Sequence, residues 1–206
     1  MIGQNQSVMI ALALVCALAS VGCGPGDRAT PTLRGGRLDP PTLAADFTLT
    51  DHNGKPFTLS STRGKVTLLY FGYTSCPDVC PLTLADMAGA LQDLGADAQA
   101  AQIVFITLDP ERDSRQTLQK YVTAFDATNI GLHGTSDEIK QVADAYGVKY
   151  KKAPLANSAL GYAVDHSAFI YVIDRRGQLR ELLPFGTSRQ SIASDLKFLI
   201  NEGDSS

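Results

Sequence analysis

Two short apolar runs in this chain predict strands that are buried on both faces. They are residues 65–72 (KVTLLYFG) and 103–108 (IVFITL). Runs of this length, rich in β-branched and aromatic residues, are typical of such strands. After the first run, apolar residues recur at helical spacing from residue 84 to residue 94, which predicts a helix that ends at Gly95. The chain therefore alternates between strand and helix patterns.

Three short sequences have the form of a capping box, which marks the start of a helix. In each, Asp or Thr is followed three residues later by Gln or Glu, so that the two side chains can satisfy free amides of the first turn. They lie at residues 113–116, 135–138 and 187–190. We expect the corresponding helices to end near residues 125, 146 and 202.

Two β-hairpins complete the pattern. Asn53-Gly54 lies between apolar residues and predicts a two-residue hairpin turn. Residues 167–173 and 179–183 predict two further strands, joined by a polar turn. The resulting order of βα, βα, then β-hairpin and α predicts an α/β, thioredoxin-like fold. Residues 147–164 carry three lysines, and we expect a solvated irregular loop there, with a partner surface as the alternative.

The beginning of the chain predicts export. Residues 8–21 are apolar except for Ser20, but at 14 residues the run is too short for a membrane span and is typical of a signal-peptide core. The following Ser20-Val21-Gly22-Cys23 resembles the lipobox of bacterial lipoproteins, so we predict lipidation at Cys23 and assign residues 1–23 to a signal with an anchoring cysteine. Ordinary cleavage near Gly22 and an uncleaved anchor are the alternatives, and each of them also exports the chain.

The rest of the chain divides into a linker and one domain. Residues 24–45 hold four prolines and four glycines and predict a flexible linker, whereas residues 46–203 predict a single folded domain. The whole chain of 206 residues is 44% hydrophobic, with a formal charge of −3 and an isoelectric point near 5.5. This charge gives no basic field for a polyanion, so nucleic-acid binding is not expected.

Cys76 and Cys80 are the candidate chemical centre. Of the four cysteines, Cys16 would leave with the signal and Cys23 would carry lipid, so this pair would have only each other. The pair follows the strand at 65–72, where a helix N-terminus stabilises the reactive thiolate. Three intervening residues place both side chains on one face of a first helical turn, which suits chelation. A structural disulfide, or two inert thiols, is the alternative, because exported thiols are normally oxidised.

The three histidines differ in context. His52 lies in the predicted hairpin turn, where a solvated side chain is the simplest interpretation. His133 precedes a helix cap and is a possible ligand. His166 enters an apolar strand after the long loop, and taken alone it would be interpreted as structural.

Three sequence blocks together resemble the Sco/SenC family, whose members take part in assembling cytochrome c oxidase. They are residues 70–81 (YFGYTSCPDVCP), 108–113 (LDPERD) and 164–167 (VDHS), in matching order and spacing, and the resemblance spans about residues 42–202. It implies a thioredoxin-like fold with an additional N-terminal β-hairpin. It also implies a mononuclear copper site with Cys76, Cys80 and His166 as ligands. Thiolates favour Cu(I), and imidazole suits both Cu(I) and Cu(II).

The resemblance also implies a function. We expect a copper chaperone that binds one copper ion and helps to metallate the dinuclear copper centre of cytochrome c oxidase. Its partners would be the copper-bearing oxidase subunit and other copper chaperones or thiol-disulfide proteins. It would be exported from a bacterial cell and anchored to the membrane by lipid, facing the periplasm or the cell exterior.

Two redox functions are the alternatives. In a thiol-disulfide reductase, Cys76 would attack an oxidised partner and Cys80 would resolve the mixed disulfide, which would keep the oxidase cysteines reduced. A peroxidase of the peroxiredoxin type is disfavoured, because Leu69 and Tyr73 occupy the positions of its usual proline and threonine. The stretch at residues 109–113 could shape the site, but capping and loop closure explain it equally well.

Overall fold

A computed structural model describes residue 33, residues 35–156 and residues 158–202 of the chain. The strands are β1 Gly36–Leu43, β2 Thr48–Asp51, β3 Pro56–Thr58, β4 Val66–Gly72, β5 Ala101–Thr107, β6 Ile130–His133, β7 Tyr150–Pro154, β8 Tyr162–His166, β9 Phe169–Ile173 and β10 Gln178–Pro184. The helices are α1 Val79–Leu94, α2 Arg115–Thr123, α3 Ser136–Ala145 and α4 Arg189–Glu202, with short 3₁₀ helices at Leu59–Thr62 and Gly95–Ala100.

Eight strands form one mixed sheet in the order β1-β10-β9-β4-β5-β6-β2-β3. Strands β4, β5 and β6 run parallel, and β9 runs antiparallel to β4. Every residue of β4 and β5 is buried, because these strands occupy the centre of the sheet, which explains their continuous apolar sequences. The carboxyl ends of β4 and β5 and the start of β9 therefore meet at one edge of the sheet.

The predicted strands and helices occur in the predicted order. Strand β6 was not predicted: it includes His133, which was expected only to precede a helix cap, and it pairs in parallel with β5. Helix α1 packs against α4, and α2 packs against β6. Thr135 forms the predicted capping box of α3 with Glu138. Helix α4 begins one residue later than the box predicted at 187–190, because the Ser188 hydroxyl, not that of Thr187, accepts a first-turn amide, from Ser191. The predicted N-terminal hairpin is β2–β3, which extends the sheet beyond β6. Among the described residues, no helix is both long and apolar enough to cross a membrane.

The hairpin turn is one residue longer than predicted. The amide of Asp51 donates to the carbonyl of Lys55 at 2.8 Å, so three residues form the loop instead of two. The Asp51 carboxylate accepts hydrogen bonds from the amides of Asn53 and Lys55, which stabilises this longer loop. Gly54 supplies the positive φ of +84° that the turn requires.

Two expectations about irregular segments differ from the structure. Residues 36–43, which lie within the predicted linker at 24–45, form edge strand β1 and pair with β10. Prolines are tolerated there because an edge strand leaves some of its amides unpaired. Residues 147–164 were expected to form a loop, but they contain β7 and most of β8, which pair as a separate two-stranded sheet. The predictions for residues 1–23, including Cys16 and Cys23, lie outside the described residues.

Candidate metal centre

Cys76 lies in the loop between β4 and α1, and Cys80 lies at the start of α1. Asp78 is the N-terminal cap residue of α1 by position, and Cys80 belongs to the first turn. Pro81 is tolerated in this turn because its missing amide would have no partner within the helix. A Cβ atom at Gly72 would lie 2.9 Å from the Cys80 sulfur and 2.9 Å from the ring of Phe105. The glycine that ends β4 therefore makes room for Cys80.

His166 is brought to this pair from the far end of the chain. It was expected to enter the apolar strand that is now β9, but it is the last residue of the preceding strand, β8. Its Nε2 lies 3.5 Å from the Sγ of Cys80, 86 positions earlier in the sequence. Its Nδ1 lies 3.1 Å from the carbonyl oxygen of Ser167. A carbonyl oxygen can only accept, so this bond places the ring proton on Nδ1. The lone pair of Nε2 is consequently directed at Cys80.

Two tyrosines hold the imidazole ring in place. Tyr70 and Tyr73 contact it edge to face, with centroid separations of 6.4 and 6.2 Å. Tyr70 is fully buried and Tyr73 nearly so. These contacts restrict the ring's rotation and exclude water from one side of the site.

The two thiols have different environments. Cys76 is partly exposed, whereas Cys80 is fully buried, and both are free thiols. A hydrogen bond from the Cys80 thiol lowers the pKa of Cys76 to about 5, with help from the backbone amides of Asp78 and Cys80 and against the effect of burial. The same hydrogen bond, together with burial, raises the pKa of Cys80. The structure thus favours a thiolate at Cys76 and a protonated thiol at Cys80.

Cys80 contacts each of the other two predicted ligands, Cys76 and His166. Its backbone amide lies 3.5 Å from the Cys76 sulfur, and its own sulfur contacts His166. Within the part of the chain that the structure describes, no three Cys, His, Asp or Glu side chains are arranged closely enough to hold a metal ion as they stand. The donor set still fits a soft metal, because it offers two sulfur atoms and one imidazole nitrogen with a free lone pair. A local adjustment at the partly exposed Cys76 would be needed for all three to share one ion.

The other two histidines have different roles. His52 accepts a hydrogen bond from the amide of Gly131 at 3.0 Å through its Nδ1, so it ties the hairpin turn to β6. His133 donates from its Nε2 to the carbonyl of Pro110 at 3.2 Å. Among the residues that the structure describes, neither His52 nor His133 forms a hydrogen bond with Cys76 or Cys80.

The loop after β5 contributes more than the sequence indicated. Asp113 was expected to cap α2, but Ser114 is the cap residue. The buried Asp113 carboxylate instead accepts hydrogen bonds from the amide and hydroxyl of Thr74 and from the hydroxyl of Thr107. It thereby fixes the segment just before Cys76. Four charged residues within 109–113 were the available sequence signal, but nothing in that pattern indicates that Asp113 bonds to Thr74 and Thr107.

Known proteins share both the sequence pattern and the fold. Residues 36–201 match the SCO1/SenC family model. The chain is 39% identical over 150 residues to Protein SCO2, mitochondrial, of Saccharomyces cerevisiae, which covers 72% of this chain and 50% of that protein. The matched region thus spans about half the length of the yeast relative.

Two solved structures extend the comparison. Bradyrhizobium japonicum ScoI with copper bound is 40% identical and aligns with a TM-score of 0.69, covering 77% of this chain and 99% of that one. BsSco, described as having a disulfide switch and as a member of the Sco family of cytochrome c oxidase assembly proteins, is 25% identical with a TM-score of 0.62, covering 80% and 98%. These matches confirm the predicted thioredoxin-like fold. The chain belongs to the SCO1/SenC family.

Proposed function

We propose that this protein is a copper chaperone that binds one copper ion through Cys76, Cys80 and His166. It would deliver the ion to the dinuclear copper centre of cytochrome c oxidase, on the copper-bearing subunit. The observation that carries the proposal is the 3.5 Å contact between Cys80 Sγ and His166 Nε2. The copper-bound ScoI structure and the family's association with oxidase assembly support it.

The hydrogen bonding of the site explains how copper would bind. Cys80 carries one thiol proton, and two acceptors lie within its reach, the Cys76 sulfur and His166 Nε2. Cys80 therefore lies next to both of the other proposed ligands, and an adjustment of the site would let all three share one ion. A copper ion that displaces this proton would meet two thiolates and a neutral imidazole, which are ligands that suit Cu(I). Because the protein would supply only three ligands, a receiving partner would have room to enter the coordination sphere.

An anaerobic titration tests the binding step. The domain of residues 33–206, reduced beforehand, is titrated with Cu(I) in competition with a chromophoric chelator. We expect one copper ion per protein and at least a tenfold loss of affinity in His166→Ala, because one of three ligands is removed. His133→Ala is the matched control and should bind as the wild type does. Absence of stoichiometric binding, or an unaffected His166→Ala variant, would contradict the site assignment.

The unequal thiols favour a second function, thiol-disulfide reduction. Cys76 is the accessible thiolate, suited to attack a disulfide, and the buried Cys80 thiol could resolve the mixed disulfide. This chemistry transfers two electrons from the dithiol to the partner's disulfide and does not require His166. Oxidase activity restored by His166→Ala without added copper, but not by Cys76→Ser, would favour reduction over copper delivery.

We also propose that the chain is exported and anchored to the membrane by lipid on Cys23. The apolar run at residues 8–21 and the small residues before Cys23 support this proposal. Metabolic labelling with a fatty-acid analogue tests it. Label on the wild type, and its loss in Cys23→Ala, is the expected result.

A further inference from the structure

The position of His166 depends on a hairpin that forms no strand pairing with the main sheet. Strands β7 and β8 pair with each other and with no strand of the eight-stranded sheet. A two-stranded hairpin by itself is marginally stable in water. Side-chain contacts must therefore hold β8, and with it His166, against the cysteines, and the burial of Val164 in the hydrophobic core is one of them.

Arg112, in the loop after β5, makes such contacts. Its Nη1 donates to the carbonyl oxygens of Leu160 and Tyr162, both at 2.9 Å. Its guanidinium group also lies 3.7 Å from the centre of the Tyr162 ring, which is close enough for a strong cation–π contact. A single side chain thus holds both the backbone and the ring at the beginning of β8.

Asp109 completes this arrangement, which we call the Arg112 clamp (Asp109, Arg112 and Tyr162). The fully buried Asp109 carboxylate is ion-paired with Arg112 Nε and accepts a hydrogen bond from the Tyr162 hydroxyl at 2.8 Å. Because the Asp109 side chain is fully buried and that of Arg112 is 23% exposed, these interactions are screened less than surface ion pairs. The clamp therefore joins the edge of the main sheet to the hairpin.

The clamp restricts the position of His166 in two ways. Tyr162 and His166 are the first and last residues of β8, so fixing the first restricts the path of the second. The Arg112 guanidinium also lies 5.8 Å from the centre of the Tyr73 ring, which in turn packs against the imidazole.

Lys152 and Glu111 form a second ion pair between the same two segments at 2.7 Å, but both side chains are largely exposed. Such a surface pair contributes little.

We propose that Arg112 is a positioning residue whose clamp on β8 holds His166 Nε2 against Cys80. The consequence for copper rests on the function proposed above, whereas the effect on the hairpin does not. Lysine cannot replace Arg112, because it lacks the planar group that bonds two carbonyls, pairs with Asp109 and stacks on a ring at once. Lys152 is unsuitable as a control, because its ammonium lies 4.9 Å from the centre of the Tyr162 ring. Lys151→Gln removes a charge from the same strand at an exposed pair with Asp165, outside the clamp, and is the matched control.

The test begins with the copper-free protein. In Arg112→Lys, we expect at least tenfold faster hydrogen exchange of the β8 amides, with unchanged exchange in β4 and β5. We also expect weaker nuclear Overhauser effects between the ring protons of His166 and those of Tyr70. Lys151→Gln should match the wild type in both measurements. Tyr162→Phe, which removes only the hydroxyl bond to Asp109, should show a smaller change of the same kind and serves if Arg112→Lys does not fold.

The copper-loaded protein gives a second measurement. In Arg112→Lys, we expect roughly tenfold weaker copper binding, a size typical of removing a group that orients a ligand. Wild-type exchange and ring contacts in Arg112→Lys would overturn the proposal, as would a loosened hairpin with unchanged copper affinity. If wild-type protein binds no copper, the proposed function fails, and the copper-free measurements still decide whether Arg112 positions His166.

Discussion

The carboxylate of Asp113 holds Thr74 by two hydrogen bonds, from the backbone amide at 2.9 Å and from the hydroxyl at 2.6 Å. A third bond, from the Thr107 hydroxyl, comes from the end of β5. Asp113 therefore joins the ends of two central strands beneath the loop that carries Cys76.

Replacing Asp113 with alanine should destabilise the fold strongly. The change leaves three donors without their partner in a buried place, and we expect a loss of about 3 kcal/mol in the free energy of unfolding. Urea denaturation followed by circular dichroism measures it. Asp97→Ala, at an exposed position, is the control and should change stability by no more than about 0.5 kcal/mol. Equal effects of the two substitutions would show that the Asp113 bonds contribute nothing to stability.

The alkylation of Cys76 should depend on pH in an unusual range. Because its pKa is lowered to about 5, its thiolate fraction should rise between pH 4 and pH 6 and then level off. An ordinary exposed thiol has a pKa of about 8.5, so its alkylation rate keeps rising until about one pH unit above that value. Rapid labelling with iodoacetamide, read by mass spectrometry of the Cys76 peptide, gives the profile.

A Cys80→Ala variant separates the causes of this shift. Removing the Cys80 thiol deletes the hydrogen bond that contributes most to the lowered pKa of Cys76. The plateau should therefore move to higher pH in this variant. A wild-type profile that keeps climbing through pH 8 would contradict the assigned environment.

Gly72→Ala should disturb the packing around the Cys80 sulfur. The new methyl group would lie 2.9 Å from both the Cys80 sulfur and the Phe105 ring. We expect a loss of about 1–3 kcal/mol in stability, as for other overpacked cores, together with weaker copper binding. In Gly131→Ala, on β6, the nearest atoms would lie at 3.3 Å or more, so this variant should cost less. A larger effect at Gly131 than at Gly72 would be inconsistent with close packing at Cys80.

The sequence predicted those parts of the protein whose causes are local. Strands β4 and β5 followed from their apolar runs, and the start of α3 followed from the Thr135 capping box. Cys76 and Cys80 were identified because a strand, two thiols and a helix lie within a few residues of one another. Such features depend on neighbours in sequence, so pattern alone is sufficient to detect them.

Features that depend on distant partners were not predicted from pattern. Residues 147–164 lack the regular alternation of a hairpin, because only Val164 of β7 and β8 is fully part of the core, and the Arg112 clamp supplies further contacts from a distant loop. Nothing near His166 distinguishes a ligand from a structural histidine, and its role was inferred from the family resemblance. Asp113 has the sequence context of a cap, but its partners lie on β5 and before Cys76.

X-ray absorption spectroscopy of the copper-loaded protein tests the central claim most directly. The proposed site predicts one copper ion with two sulfur ligands and one imidazole nitrogen in the wild type. It also predicts that the imidazole contribution disappears in His166→Ala and persists in His133→Ala. A copper ion bound by sulfur alone, or an imidazole signal that survives the loss of His166, would contradict it.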